Sequence, residues 1–160
     1  ATLALELEQQ QPDLDTVLVA VGGGGLIAGI AGYYAGRCKV VAVEPETCNA
    51  LDASLRAGRP VTIKPSGLAV DSLGASSIGT NVFPVVQQHV AGVAIVNDEA
   101  IRAAQRYLWQ NLQLVSEPGG AAALAALLSG VYKPEAGERV GVVLCGGNTE
   151  LTTFAGLFRN

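Results

Sequence analysis

The 160-residue chain is predicted to form an α/β fold in which an open, mostly parallel sheet carries helices on both faces. Hydrophobic residues make up 49% of the sequence and charged residues 15%, which is typical of strands buried on both faces. Short β-branched runs alternate with stretches of helical length. The connections between most of them are short, which favours right-handed crossovers and a parallel sheet.

Four apolar, β-branched runs are the predicted strands. They cover residues 17–21, 40–43, 93–96 and 140–144. Five helices are predicted around them, at residues 2–10, 26–35, 47–56, 97–111 and 119–128. Thr47 and Asn97 are the predicted caps of the third and fourth helices, because such side chains accept hydrogen bonds from a first helical turn. The fifth helix is almost entirely alanine and leucine, so we expect it to be buried against the sheet.

One long segment, residues 59–79, shows no periodicity and contains two prolines and three glycines among serines. An irregular segment of this length inside a compact domain usually contributes to a functional site. The alternative interpretation is a connector on the surface.

Composition and charge exclude several classes of function. No apolar run reaches the roughly 18 residues that cross a bilayer, and there is no signal-peptide pattern. The net charge is −4 and the basic residues are not clustered, which argues against nucleic-acid binding. Cys38, Cys48 and Cys145 lack the CxxC spacing of disulfide frameworks and zinc sites. We therefore expect a soluble, cytoplasmic protein that contacts neither membranes nor nucleic acid.

Four consecutive glycines, Gly22, Gly23, Gly24 and Gly25, lie directly between the first predicted strand and the helix that follows it. Backbone N–H groups and the positive end of a helix dipole favour an anion at such a position. Glycine suits this position because a Cβ would hold the backbone away from the bound group. The segment predicts phosphate binding, and a tight structural turn is the alternative.

The loop alone does not identify the molecule to which that phosphate belongs. The pattern Gly23-x-Gly25-x-x-Ala28 satisfies the dinucleotide fingerprint, and Glu44 ends the next predicted strand where a ribose-binding acid would stand. A nucleotide-binding α/β module without catalytic function is therefore one hypothesis.

Two further features are predicted at the same edge of the sheet. Cys145 begins the sequence CGGN after the last strand, which presents a thiol there. Glu117 stands at the beginning of the alanine-rich helix, where the helix dipole stabilises a carboxylate. A buried structural cysteine and a simple helix cap are the alternative interpretations.

Five segments, in this order, resemble the fold-type-II pyridoxal-phosphate enzymes, specifically the serine/threonine dehydratases and serine racemase. The resemblance covers essentially the whole chain. It implies that residues 1–160 are a single domain, the C-terminal part of the cofactor-binding large domain of a tryptophan-synthase-β-like fold. The segments are VGGGGLIAGIA (21–31), VVAVEPE (40–46), SGLAVDSLG (66–74), SEPGGAAALAALLSG (116–130) and VVLCGGNTEL (142–151).

The resemblance implies an ammonia-lyase that uses pyridoxal 5'-phosphate to eliminate the β-hydroxyl of L-serine or L-threonine, giving a 2-oxo acid and ammonia. It also implies a homo-oligomer, since members are commonly dimers. A non-catalytic domain that binds pyridoxal phosphate is a third hypothesis.

The resemblance also assigns roles to individual residues. Gly22 to Gly25 and Leu26 match the loop that holds the cofactor phosphate through backbone amides. Cys145 matches the position that contacts the pyridine nitrogen, where a neutral thiol or hydroxyl leaves that nitrogen unprotonated. Gly67 matches a glycine near the ring. The predicted cofactor-binding set is Gly22, Gly23, Gly24, Gly25, Leu26, Gly67, Glu117, Cys145 and Gly146.

A cation site is implied at Glu44, with the backbone carbonyl of Cys48 as a second ligand. Such hard oxygen ligands suit magnesium, calcium or potassium. Two positions depart from the family pattern, since Ala50 stands where the metal-dependent racemase has an acid and Ser66 replaces a common aspartate.

Members of the family hold the cofactor aldehyde as a Schiff base on a lysine in an SxKxR-like segment, which does not occur in this sequence. Lys39, Lys64 and Lys133 have no such motif around them. The asparagine loop that binds the substrate carboxylate is not found either. We therefore expect an incomplete chain without a catalytic residue of its own, inactive alone, which associates with an N-terminal half or with a second copy.

Overall fold

The structure, a computed structural model, describes residues 1–159 and contains one four-stranded sheet in that range. All neighbouring strands are parallel, in the order β3-β2-β1-β4, and this confirms the predicted α/β class. The strands are β1 (Thr16–Ala20), β2 (Lys39–Pro45), β3 (Val90–Val96) and β4 (Val140–Val142). The helices are α1 (Thr2–Gln10), α2 (Gly25–Tyr34), α3 (Ala50–Ala57), α4 (Val70–Leu73), α5 (Phe83–His89), α6 (Asp98–Leu112), α7 (Pro118–Leu128) and α8 (Leu151–Gly156).

Helices cover both faces of the sheet, because successive side chains of β1 point to opposite sides. Val17 and Val19 pack in one buried cluster with apolar side chains of α2 and α5. Leu18 packs in the other cluster with α6 and with the alanines of α7. The alanine-rich helix is buried as predicted.

Three of the predicted strand boundaries differ from the structure by two residues or more. β2 continues to Pro45, two residues beyond its predicted end. β3 begins at Val90, three residues early, because Gly92 interrupts the apolar run that signals a strand. β4 ends at Val142 instead of residue 144. The Val143 N–H still donates to the Leu18 carbonyl of β1 at 3.1 Å, and beyond it the chain turns toward α7. There the Gly146 carbonyl accepts hydrogen bonds from the Glu117 N–H at 3.2 Å and from the Ser116 hydroxyl at 3.0 Å.

The two predicted helix caps have different outcomes. Asn97 caps α6 as predicted, because its Oδ1 accepts the Ala100 N–H at 2.8 Å. The prediction for Thr47 is wrong, since α3 begins at Ala50 and the Thr47 hydroxyl donates instead to the Ser66 carbonyl at 2.7 Å. Three helices, α4, α5 and α8, were not predicted from the sequence, because each has seven residues or fewer and too little periodicity to recognise.

The end of the sheet at which the strands begin carries a polar cluster around Glu138. Its carboxylate accepts hydrogen bonds from the hydroxyls of Thr16 and Tyr132 and from the Glu135 N–H, and Lys39 Nζ lies 4.0 Å away. The bonds from Thr16 and Tyr132 are the main reason why the pKa of Glu138 falls to about 2. The cluster links the beginnings of β1, β2 and β4.

Because its pKa is lower in the folded chain, Glu138 stabilises the fold above its unfolded pKa of about 4.3. That contribution is lost as the pH falls toward 2. We expect Glu138→Gln to show a shallower loss of stability than the wild type across this window, measured by urea unfolding at a series of pH values. Glu135→Gln is the control, since only the backbone of Glu135 takes part. Equal slopes for Glu138→Gln and the wild type would contradict the assignment.

The described helices are also relevant to membrane association. Among residues 1–159, no helix combines the length and the apolar character that crossing a bilayer requires.

Candidate functional site

The candidate site lies at the carboxyl ends of β1 and β4. The strand order reverses between these two neighbours, because the chain continues from β1 to β2 on one side and reaches β4 on the other side. In open α/β sheets, ligands bind at the strand carboxyl ends where such a reversal occurs. The glycine loop follows β1 and Cys145 follows β4, and a cavity of about 250 Å³ lies there.

The cavity brings together most of the residues that the sequence predicted to bind a cofactor. Two predicted residues, Gly67 and Gly146, lie outside its lining. Seven lining residues were not predicted as binding residues. They are Ala20 and Val21 at the carboxyl end of β1, Ile27 in α2, Ser72 and Leu73 from the irregular segment 59–79, and Gly119 and Gly120 from the beginning of α7. The predicted residues in the lining are Gly22, Gly23, Gly24, Gly25, Leu26, Glu117 and Cys145.

The glycine loop is closely packed at Gly24 and open at Gly25. Gly24 has a φ of +86°, and a Cβ there would lie 2.7 Å from Val82 Cγ1. A Cβ on Gly25 would meet no atom within 4 Å. The first-turn N–H groups of α2 have no partner within the helix and lie at the positive end of its dipole. These features fit a phosphate in front of the loop.

Cys145 is exposed, and it lines the cavity on the side of β4. Removal of the thiolate from water by the surrounding atoms raises the pKa of Cys145, and the negative charge of Glu117 raises it further. The side chain is therefore a neutral thiol at neutral pH. A neutral thiol fits a ring nitrogen that stays unprotonated.

Glu117 precedes α7, but its side chain makes no capping hydrogen bond, so the interpretation as a simple cap is wrong. The carboxylate packs against Gly146 so closely that a Cβ there would lie 1.7 Å from Glu117 Oε1. Gly146 therefore serves the site indirectly, by leaving room for the carboxylate beside Cys145.

Ser72 joins α4 to the beginning of α7. Its hydroxyl accepts the Gly119 N–H at 3.1 Å, and a Cβ on Gly119 would lie 2.5 Å from the same oxygen. This close approach brings Ser72 and Leu73 into the cavity. The available sequence signals were the irregular segment 59–79 and the glycine pair after Pro118, but neither shows that the two segments meet.

Gly67 is packed between the β2–α3 connection and the beginning of α6. Its φ is +84°, and a Cβ would lie 2.4 Å from Thr47 Oγ1. The neighbouring Leu68 N–H donates to Asp98 Oδ2 at 2.9 Å. Gly67 therefore allows this connection and α6 to pack closely.

Glu44 is completely buried and caps α3. Its two carboxylate oxygens accept the N–H groups of Leu51 and Asp52, both at 2.8 Å. Burial raises the pKa of Glu44 to about 7, although these hydrogen bonds oppose the shift. A carboxylate in this position cannot face a ribose, which removes the acid that the nucleotide-binding hypothesis requires.

The same contacts bear on the predicted cation site. Both oxygens of Glu44 are engaged by α3. The Cys48 thiol donates to the Ser66 carbonyl at 3.1 Å, but the predicted ligand is the backbone carbonyl of Cys48 and not its thiol. Within residues 1–159, no group of three or more His, Cys, Asp or Glu side chains could hold a metal ion. That finding does not test a site made of one carboxylate and a backbone carbonyl, and the cation site stays a prediction.

The lysines lie apart from the cavity. Of the residues from 1 to 159 that line it, none is a lysine. Lys39 is at the opposite end of the sheet, where its Nζ donates to the Tyr132 hydroxyl at 3.2 Å. Lys64 and Lys133 are exposed.

The sequence is similar to curated dehydratases. It is 40% identical over 158 residues to phenylserine dehydratase of Ralstonia pickettii, covering 97% of this chain and 48% of that protein. It is also 40% identical over 151 residues to the biosynthetic L-threonine dehydratase of Escherichia coli (strain K12), covering 92% and 29%. The chain thus spans half or less of the length of these relatives.

Solved structures share the fold. A threonine deaminase from T.th. matches with a TM-score of 0.86 and 35% identity, covering 94% of this chain and 57% of that chain. Maize serine racemase matches with a TM-score of 0.87 and 33% identity, covering 97% and 49%. A family model described as "Pyridoxal-phosphate dependent enzyme" matches residues 1–146. With the glycine loop and the Cys145 thiol at one cavity, these matches show that the chain belongs to the family of pyridoxal-phosphate dependent enzymes.

Proposed function

We propose that the protein containing this chain is a pyridoxal-phosphate-dependent ammonia-lyase. It eliminates the β-hydroxyl of L-serine, L-threonine or a related β-hydroxy amino acid and yields a 2-oxo acid and ammonia. The observation that carries the proposal is the neutral Cys145 thiol in the same cavity as the glycine loop. The relatives named phenylserine dehydratase and L-threonine dehydratase support this class of reaction.

The glycine loop binds and orients the cofactor. Backbone N–H groups of Gly22 to Gly25 and of Leu26 donate to the phosphate, and the dipole of α2 stabilises its charge. When bound, pyridoxal phosphate supplies a ring that withdraws the negative charge developing at the substrate α-carbon. The close packing behind Gly24 holds the loop in one position, which fixes the cofactor in the cavity.

Cys145 determines the charge of the ring. A neutral thiol can share a hydrogen bond with the ring nitrogen without giving it a proton, whereas a carboxylate would stabilise the protonated ring. By leaving the ring nitrogen unprotonated, Cys145 would favour loss of the β-hydroxyl over reactions that need a full electron sink. Removal of the thiolate from water raises the pKa of Cys145, and the charge of Glu117 raises it further, so both favour the neutral thiol.

The test of this function is an assay of the protein as the cell makes it, loaded with pyridoxal phosphate. We expect 2-oxo acid and ammonia in equal amounts from L-serine, L-threonine or L-phenylserine. Formation of the D-amino acid without 2-oxo acid would show that the protein is a racemase and not a lyase. No product from any of the three amino acids would overturn the proposal.

Substitution of Cys145 tests the role of the neutral thiol. We expect Cys145→Ser to retain most of the kcat for elimination, because a hydroxyl is also neutral. Cys145→Asp should lower kcat by about tenfold or more, equivalent to about 1.4 kcal/mol in activation free energy. The measurement is 2-oxo acid formation together with the absorbance of the bound cofactor, which reports whether it is still held. Equal kcat values for the Ser and Asp variants would contradict the role.

A cation at Glu44 and Cys48 is a separate proposal that rests on the family resemblance. Its test is the melting temperature of the wild type and of Glu44→Gln with magnesium, calcium or potassium added. An increase in the wild type that is lost in the variant would support the site. Equal melting temperatures with and without each cation would contradict the proposed cation site.

We also propose that the protein associates with a second copy of itself. This association is supported by large apolar side chains that are exposed in the structure, notably Leu112, Leu114 and Leu151. The test compares the oligomeric state of the wild type with that of the Leu151→Lys variant, measured by sedimentation. A monomeric wild type would contradict it.

A further inference from the structure

The glycine loop is supported from behind by residues 78–82, the chain that leads into α5. A Cβ on Gly24 would lie 2.7 Å from Val82 Cγ1 and 3.5 Å from Ile78 Cδ1. Ile78 is buried and Val82 is partly buried, in the same apolar cluster as residues of α2. Neither side chain is among the described residues that line the cofactor cavity. They therefore contact the loop on a side that faces the core and not the cavity.

Two hydrogen bonds fix the peptide groups on either side of Gly24. The Gly23 carbonyl accepts the Gly79 N–H in a long bond of 3.4 Å, and the Gly24 carbonyl accepts the Ala28 N–H at 3.0 Å. No peptide bond among the described residues is cis, and in a trans peptide the carbonyl and the following N–H point in opposite directions. The Gly24 N–H therefore points away from Gly79. For the same reason, the Gly25 N–H points away from Ala28 and out of the first turn of α2.

The conformation of Gly24 determines whether these N–H groups converge. Gly24 is left-handed, with φ +86° and ψ −1°, and Gly25 begins the right-handed helix α2. Neighbouring residues of opposite hand turn successive N–H groups to one side, which forms a concavity that binds anions. Glycine alone adopts positive and negative φ about equally well, so the sequence of the loop does not hold Gly24 in this conformation. A contact from outside the loop is needed to hold it.

We propose that Val82 is a positioning residue for the cofactor phosphate, because its side chain holds Gly24 in the left-handed conformation that directs the loop N–H groups to the phosphate. Val82 acts through Gly24 and touches neither cofactor nor substrate. The inference rests on the proposed function only for the location of the phosphate in front of the loop. It assigns to the chain before α5 a role in cofactor binding.

The test compares Val82→Ala with Val85→Ala in the protein as the cell makes it. Val85 is the matched control, because both valines are partly buried where the chain of α5 packs on α2. A Cβ on Gly32, in the middle of α2, would lie 3.4 Å from Val85 Cγ1. Each variant therefore removes the same two methyl groups from this interface, but only Val82→Ala removes the contact behind Gly24. The measurements are the dissociation constant of pyridoxal phosphate, the phosphorus NMR resonance of the bound cofactor, and the melting temperature.

We expect similar decreases in melting temperature for both variants, but weaker cofactor binding only in Val82→Ala. Its dissociation constant should rise by about tenfold, as for a loop that keeps the binding conformation roughly a tenth of the time. Its phosphorus resonance should move toward that of the free cofactor, since fewer N–H groups contact the phosphate. Val85→Ala should leave both values as in the wild type.

Two results would overturn the role of Val82. They are a wild-type affinity and resonance in Val82→Ala, or equal losses of affinity in Val82→Ala and Val85→Ala. Turnover is not measured, so these results do not depend on which reaction the protein catalyses. Failure of the wild type to bind pyridoxal phosphate would overturn the proposed cofactor site itself, and the role of Val82 with it.

Discussion

Gly120→Ala is expected to destabilise the fold and to weaken cofactor binding. A Cβ on Gly120 would lie 2.3 Å from the Gly146 carbonyl oxygen and 2.9 Å from the Gly146 nitrogen. Both are backbone atoms, which cannot move aside as a flexible side chain can. The added methyl group must therefore push the loop after Cys145 away from α7. Overpacking of this kind costs about 1–3 kcal/mol in the free energy of unfolding.

The same displacement moves the Cys145 thiol relative to the glycine loop, so we expect pyridoxal phosphate to bind about tenfold more weakly or worse. Urea unfolding and a spectroscopic cofactor titration measure the two effects. Gly147→Ala is the matched control in the same loop, since its Cβ would meet only the Val115 carbonyl oxygen at an ordinary 3.4 Å. If Gly120→Ala unfolded and titrated like Gly147→Ala, the close contact between α7 and this loop would be refuted.

Gly25→Ala is expected to separate cofactor affinity from stability. Gly25 is the first residue of α2, and a Cβ there would contact no protein atom within 4 Å. Because Cα–Cβ bonds tilt toward the helix N-terminus, the methyl group would enter the space in front of the loop. We expect stability to be unchanged or raised by about 0.5–1 kcal/mol, since alanine is favoured over glycine in a helix.

Cofactor affinity should fall by roughly a hundredfold in the same variant, because a displaced phosphate loses about two charge-assisted hydrogen bonds. The measurement is a titration with pyridoxal phosphate, repeated with inorganic phosphate as competitor. Gly32→Ala, on the same helix but outside the cavity, should leave the affinity unchanged. An unaltered affinity in Gly25→Ala would show that the phosphate does not lie in front of this loop.

Neither prediction could have been made from the sequence. Gly24 and Gly25 cannot be distinguished in a run of four glycines. Only the structure shows that Gly24 is packed against Val82, while no protein atom lies within 4 Å of a Cβ placed on Gly25. Similarly, the sequence EPGG does not reveal that Gly120 contacts the chain 26 positions later, at Gly146. Close contacts of this kind depend on the relative position of two elements, which local patterns do not encode.

Other features of the fold and of the site were correctly predicted from local patterns. The glycine loop lies between a strand and a helix, Asn97 caps α6, and the alanine-rich helix is buried. Each of these follows from interactions within a few residues, namely backbone hydrogen bonding, capping and hydrophobic periodicity. Comparison of five motifs with a known family added the expected role of Cys145.

The sequence by itself therefore determined the fold class and the family, because both depend on the order of local patterns along the chain. Only the tertiary structure decided that β4 lies beside β1, so that Cys145 and the glycine loop share a cavity. It also assigned Glu44 to the cap of α3 and moved Gly67 out of the cavity lining. These outcomes depend on contacts between residues far apart in the chain, which form only when the sheet and its two layers of helices pack together.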